Sequence, residues 1–170
     1  FSAGVGNDGV TCGDKKYFRL SLAERSGLDL LQGSSSKVKA KVTSHPNYLH
    51  HQGKPVLSIW GMGLEDVRHV PRDPETAKQV IEWFKTKAPK GCQVFYMGGT
   101  PSRWRTLTND AQKDPGWTEA YRMMDVIQPW TVGRYRDNNA ADEWKTNMLG
   151  PDLAWTNEKG RVYMPVVFPG

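Results

Sequence analysis

Three of the seven tryptophans recur in one setting, each beside groups that could hold a polar, ring-shaped ligand. Trp60 closes the run "KPVLSIW" and is followed by Gly61-Met62-Gly63, then Glu65 and Asp66. Trp104 stands between Arg103 and Arg105, just after Gly98-Gly99-Thr100-Pro101. Trp130 follows Pro129 and precedes Gly133, Arg134 and Tyr135. An indole face stacks on a sugar ring because axial C–H groups meet a π surface and water leaves an apolar patch. Guanidinium and carboxylate groups anchor hydroxyls. Cleavage of a sugar bond uses a pair of carboxyl groups. Glu24, Glu65 and Asp66 are the carboxylates placed after apolar runs, and they are the catalytic candidates. Trp60, Arg103, Trp104, Arg105, Trp130, Arg134 and Tyr135 are the candidates for substrate binding.

The same residues have plainer uses. A tryptophan at a strand end also packs in a core. Arg103 and Arg105 could pair with Asp110, and Arg134 and Arg136 with Asp137. The "GMG" and "MGG" turns follow neither phosphate-binding pattern. His45, His50, His51 and His69 lack zinc-ligand spacing, so neither a metal nor another cofactor is expected. No G-x-S-x-G elbow occurs, and Cys12 and Cys92 sit in no protease signature. These two cysteines form one disulfide or none.

The elements that must position these groups are short strands alternating with helices. "KYFRLSLA", "KPVLSIWGMG", "CQVFYMGGTP", "MMDVIQPW" and "RVYMPVVFPG" read as strands, mostly continuous apolar runs closed by Gly and Pro. Such runs suit strands buried on both faces of a parallel sheet. Asp73 caps a predicted helix over "PETAKQVIEWFKTKA", with Ala77, Val80, Ile81 and Phe84 on one face. "PGWTEAYRMM" reads as a shorter helix, and "NAADEWKTNMLGPDLAWTNEKG" as one or two helices with a break at Gly150-Pro151. Leu31–Lys41 reads as a polar loop or a poorly defined helix. Strand starts about 30 to 40 residues apart match βα units, which right-handed crossovers make parallel. The fold class is therefore α/β: repeated βα units around a parallel sheet, as in part of a (β/α)8 TIM barrel. In such folds ligands sit at the carboxyl ends of the strands, where the tryptophans lie.

The 170 residues suffice for one domain, with 1–14 an unplaced segment and 15–170 the βα units. A complete eight-stranded barrel takes ~250 residues, so the sheet is expected to be partial. Hydrophobic residues at 38% and charged residues at 24% indicate a globular chain. The net charge of +5 is scattered among acidic residues, with no run of five like charges, which argues against a nucleic-acid partner. No segment reaches the ~18 apolar residues of a membrane span. The start "FSAGVGNDGV" has neither an initiator Met nor a signal-peptide pattern. A processed or partial sequence is expected, and the compartment stays open with an extracellular or secreted location favoured.

Four ordered motifs, "HPNYLHHQGKPVLSIWGMG", "YMGGTPSRWRTL", "DVIQPWTVGRYRD" and "YMPVVFPG", resemble the glycoside hydrolase family 71/99-like proteins. These are relatives of endo-α-mannosidases, some of them labelled xylosidase or arabinosidase. The resemblance covers roughly Tyr17 to Gly170 and implies a (β/α)8 barrel that hydrolyses glycosidic bonds. It implies Glu24, in "FRLSLAERSG", as the base in a mechanism assisted by a neighbouring sugar hydroxyl, with Glu65 or Asp66 as the acid. It implies Trp60, Trp104, Arg105, Trp130, Arg134 and Tyr135 as pocket residues. Relatives continue beyond Pro169-Gly170, so further chain or a second copy is expected to complete the sheet. The alternatives are a non-catalytic, lectin-like carbohydrate binder on the same scaffold, and an assembly protein whose copies cover each other's edges.

Overall fold

A computed structural model describes residues 11–12, 15–16, 43, 45–66 and 71–168. Strands β1 (Thr11–Cys12) and β2 (Lys15–Lys16) pair antiparallel as a small separate ladder. The main sheet contains β3 (His50–His51), β4 (Lys54–Trp60), β5 (Phe95–Thr100), β6 (Val126–Pro129) and β7 (Val162–Tyr163) in that spatial order. β3 and β4 form an antiparallel hairpin, and β4 through β7 run parallel. The hairpin turns at Gln52 and Gly53, both with positive φ, as the right-handed twist of the flanking strands requires. The whole is an α/β fold whose mostly parallel sheet curls into a half barrel. The predicted strand "KYFRLSLA", with Glu24 after it, and the Leu31–Lys41 segment lie outside the described residues.

Helix α1 (Pro74–Glu82) starts as its sequence predicts: Thr76 N–H donates to Asp73 Oδ1 at 2.7 Å, and Pro74 occupies the first turn. It buries Ala77 and Ile81 and runs into a π-helical turn, Trp83–Lys87, that closes with Ala88 N–H on Trp83 O at 2.8 Å. A 3₁₀ turn, Lys90–Cys92, leads to β5. Helix α2 (Gly116–Met123) buries Trp117, Ala120 and Tyr121. These side chains join Leu57, Phe84, Tyr96, Met124 and Ile127 in one core between sheet and helices. Burial on that scale, at roughly 25 cal/mol per Å² of apolar surface, is the main stabilising contribution.

Helix α3 (Asn138–Trp144) is capped by Asp137, whose Oδ1 accepts from Ala140 N at 2.8 Å. The break expected at Gly150-Pro151 is absent. A π-helical turn, Lys145–Leu149, passes directly into α4 (Gly150–Glu158), and Gly150 keeps helical angles, φ −60° and ψ −55°. Pro151 removes a donor and crowds the carbonyl one turn back, and the widened turn before it accommodates both effects.

At the amino ends of the strands, Asp125 joins two of them. Its Oδ2 accepts from Tyr96 N at 2.8 Å, and its Oδ1 accepts from Lys85 Nζ at 2.7 Å. Lys85 also donates to Met123 O at 2.6 Å. This end is closed by charge-assisted bonds within the fold. The carboxyl ends carry the residues of interest.

Candidate functional site

Register places Trp60, Gly99 and Gln128 in one row across β4, β5 and β6. Residues in register share a face, so the three stand on the sheet surface opposite the helices. The glycines of β5 confirm the two sides. A Cβ on Gly98 would fall on Met124, in the helix-side core, whereas a Cβ on Gly99 would fall on the Trp60 indole. Trp60 thus lies across Gly99, in space that only glycine leaves free. Trp130, two residues beyond Gln128, extends the ladder through Trp130 N–H to Thr100 O at 3.1 Å. Its indole meets that of Trp60 at 5.2 Å between centroids and 89° between planes. Trp130 is 45% exposed. The arrangement is an exposed indole buttressed by a second indole that rests on a glycine floor.

A polar rim lies beside the pair, after β5. Asp110 organises it. Its carboxylate accepts from Ser102 N at 2.8 Å, Ser102 Oγ at 3.0 Å, Arg103 N at 3.2 Å and Arg134 at 2.6 Å. Asp110 O also accepts from Glu65 N at 2.8 Å, which joins the loop after β4 to the loop after β5. Arg134 therefore pairs with Asp110, while Arg136 lies 3.7 Å from Asp137. Glu65 is exposed, and Asp66 is half-buried with an interaction of its own. Tyr135 stacks on Phe168 at 4.8 Å and 27°, so part of its ring is covered from within the chain.

Trp104 belongs to the interior, and the half-buried Arg105 is tied to it through Asp152. Trp104 is 1% exposed, packs edge-on against Tyr121 and Trp155, and donates its indole N–H to Asp152 at 3.1 Å. It offers no face to a ligand. Arg105 donates to the other oxygen of Asp152 at 2.6 Å, and Tyr163 Oη donates to Asp152 at 3.3 Å. Burial raises the Asp152 carboxyl above its ordinary range, against the lowering effect of Arg105, Trp104 and Tyr163. Arg103 has no carboxylate partner among the described residues. Its guanidinium lies over the Trp144 ring at 5.2 Å and reaches Met148 Sδ at 3.5 Å.

The expected constellation is thus divided. Trp60, Trp130, Arg134 and Glu65 belong to the carboxyl ends of β4 and β6 and the loops that follow. Trp104 and Arg105 belong to a buried network, and Glu24 lies outside the described residues. Among the described residues no cluster of three or more His, Cys, Asp or Glu is placed to hold a metal ion, and no helix is long and apolar enough to cross a membrane. Gln128 was not anticipated. Its spacing from Trp130 in "IQPW" was the available signal, because two residues along a strand return to the same face. Ser58, on the same face one step back from Trp60, was also missed. No family model, curated protein or solved structure matches the chain.

Proposed function

We propose that this protein is carbohydrate-active and takes a sugar ring on Trp130 at the carboxyl ends of its parallel strands. The observation that carries the reading is the perpendicular Trp60–Trp130 pair above Gly99, with Trp130 45% exposed. An exposed indole held rigid by a second ring loses little conformational freedom when a sugar stacks on it. Binding without hydrolysis, as in a lectin, is the reading we favour. Asp110, whose carbonyl accepts from Glu65 N–H, has its carboxylate engaged by Ser102, Arg103 and Arg134, so it is not free to act with Glu65 as a catalytic pair. The test is calorimetric titration with a panel of neutral oligosaccharides. Saturable binding that weakens at least tenfold in Trp130→Ala, about 1.4 kcal/mol, is the expected result. Equal binding by wild type and variant would sink the reading.

Hydrolysis is the second reading. It is favoured by the motif resemblance to the glycoside hydrolase family 71/99-like proteins and by Glu65, an exposed carboxylate tied through its N–H to Asp110 O. In that reading the half barrel is part of a (β/α)8-type scaffold, completed by further chain or a second copy, and Glu24 acts as base. Release of the aglycone from aryl glycosides, lost in Glu24→Gln and reduced in Glu65→Gln, would establish it.

A further inference from the structure

Stacking holds a ring but does not distinguish one sugar from another, so a selective site needs a polar group beside the platform. The sheet supplies one. Gln128 shares its row with Gly99 and Trp60, and it stands two residues before Trp130 on the same face. Because Gly99 has no side chain, the space between Trp60 and Gln128 is left to the indole and to whatever lies on it. Gln128 is half-buried, and among the described residues its amide makes no hydrogen bond. Ser58, on the same face and next to Met97, has a buried Oγ with no partner. A half-buried amide without a partner leaves unsatisfied two donors and an acceptor that water or a ligand must meet. Of the rim described above, Ser102, Asp110 and Arg134 are engaged with one another, Arg103 lies on the Trp144 ring, and the exposed Glu65 is tied to the rim only through its backbone N–H.

We propose that Gln128 selects the ligand: its side-chain amide hydrogen-bonds two vicinal hydroxyls of a neutral pyranoside stacked on Trp130, with Ser58 Oγ as an auxiliary contact. A primary amide has a carbonyl acceptor and an N–H donor side by side, which matches a vicinal diol that donates from one hydroxyl and accepts at the next. The amide is neutral, so it fits an uncharged sugar without burying a charge. The inference rests on the carbohydrate reading above.

The experiment is titration calorimetry with methyl pyranosides of glucose, mannose, galactose and xylose, and with the 2-, 3- and 4-deoxy analogues of the best of them. Wild type, Gln128→Leu and Gln128→Glu are compared, with thermal unfolding as the check on folding. Gln128→Glu keeps the polar shape and loses the donor, so it serves if Gln128→Leu misfolds. The expected result is a tenfold or greater loss of affinity for the best sugar in both variants. A deoxy analogue lacking a contacted hydroxyl should bind wild type and Gln128→Leu alike. Unchanged affinity in both variants overturns the role of Gln128 and leaves the sugar reading standing if Trp130→Ala still weakens binding. Failure of wild type to bind any sugar of the panel overturns both.

Discussion

Asp152 accepts from Trp104, Arg105 and Tyr163 at once, and those donors come from the loop after β5 and from β7. A buried carboxylate so surrounded fixes the loop that carries Ser102, Arg103 and Asp110 relative to α4. Because burial raises its carboxyl above the ordinary value of 3.8, the folded chain takes up this proton at a higher pH than the unfolded chain. Folding therefore gains stability from this group as pH falls through the raised value, and the gain is complete below 3.8. Urea unfolding of wild type and Asp152→Asn from pH 7 to pH 4 should show wild type gaining on the variant as pH falls. A constant difference would contradict this. Gly99→Ala is a second test at this scale. Its methyl group would meet the Trp60 indole, so we expect a loss of about 1–3 kcal/mol in unfolding free energy together with weakened sugar binding. A variant as stable as wild type would show that Trp60 can move aside. These residues also show what could be read from the sequence. Trp60 and Trp130 were legible because each ends an apolar run at a Gly or Pro. The burial of Trp104 was not, because the same residue type serves a platform and a core, and the choice depends on Asp152, far along the chain.

Among the elements, β4, β5 and β6 were legible as apolar runs closed by turn residues, and α1 by Asp73, Pro74 and its apolar face. The two-residue β3 was not, since so short a strand has no period to detect. The π-helical turns were not legible either, because sequence gives no pattern for a bond of i to i−5, and Pro151 alone suggested a stop where the chain in fact widens and continues. What joins the elements at the amino ends of the strands is the Lys85–Asp125 pair, 2.7 Å apart with side chains 21% and 15% exposed. Asp125 also holds Tyr96 N–H, and Lys85 holds Met123 O, so the pair links the π-helical turn after α1, the end of α2, β5 and β6. Asp125→Ala leaves a half-buried ammonium and an amide without their acceptor. We expect it to cost about 2–3 kcal/mol in urea unfolding. Since this end lies opposite the tryptophan pair, sugar affinity of the folded variant should stay within a factor of two or three. A large loss of affinity without loss of stability would place the ligand elsewhere.

For the molecule as a whole, the β7 edge of the half barrel and the sheet face opposite the helices have no other described strand or helix against them. Val162 and Met164 are 45% and 41% exposed, on an edge segment that no other described strand pairs on its outer side. Val162, Met164 and Val166 donate their N–H groups inward, to Asp125 O, Ile127 O and Pro129 O. Residue 165 therefore faces outward, and it is a proline with no N–H to give. Proline at that place interrupts the outward row of donors on which another chain could build a ladder. Pro165→Val restores the donor without disturbing the inward bonds. The variant should show greater self-association than wild type by light scattering after gel filtration, at equal secondary-structure content. The disulfide of Cys92 constrains the chain at the entry to β5. Reduction, or Cys92→Ser, should lower the unfolding free energy by about 2–4 kcal/mol, measured by urea titration with and without reductant. If both hold, the edge is guarded locally by Pro165 and the sheet is supported from its amino end by the disulfide. If Pro165→Val instead remains as dispersed as wild type, the outer edge is covered by something other than its own proline. A second copy or further chain completing the barrel would then be the occupant to seek, by comparing sedimentation of wild type with that of Val162→Glu.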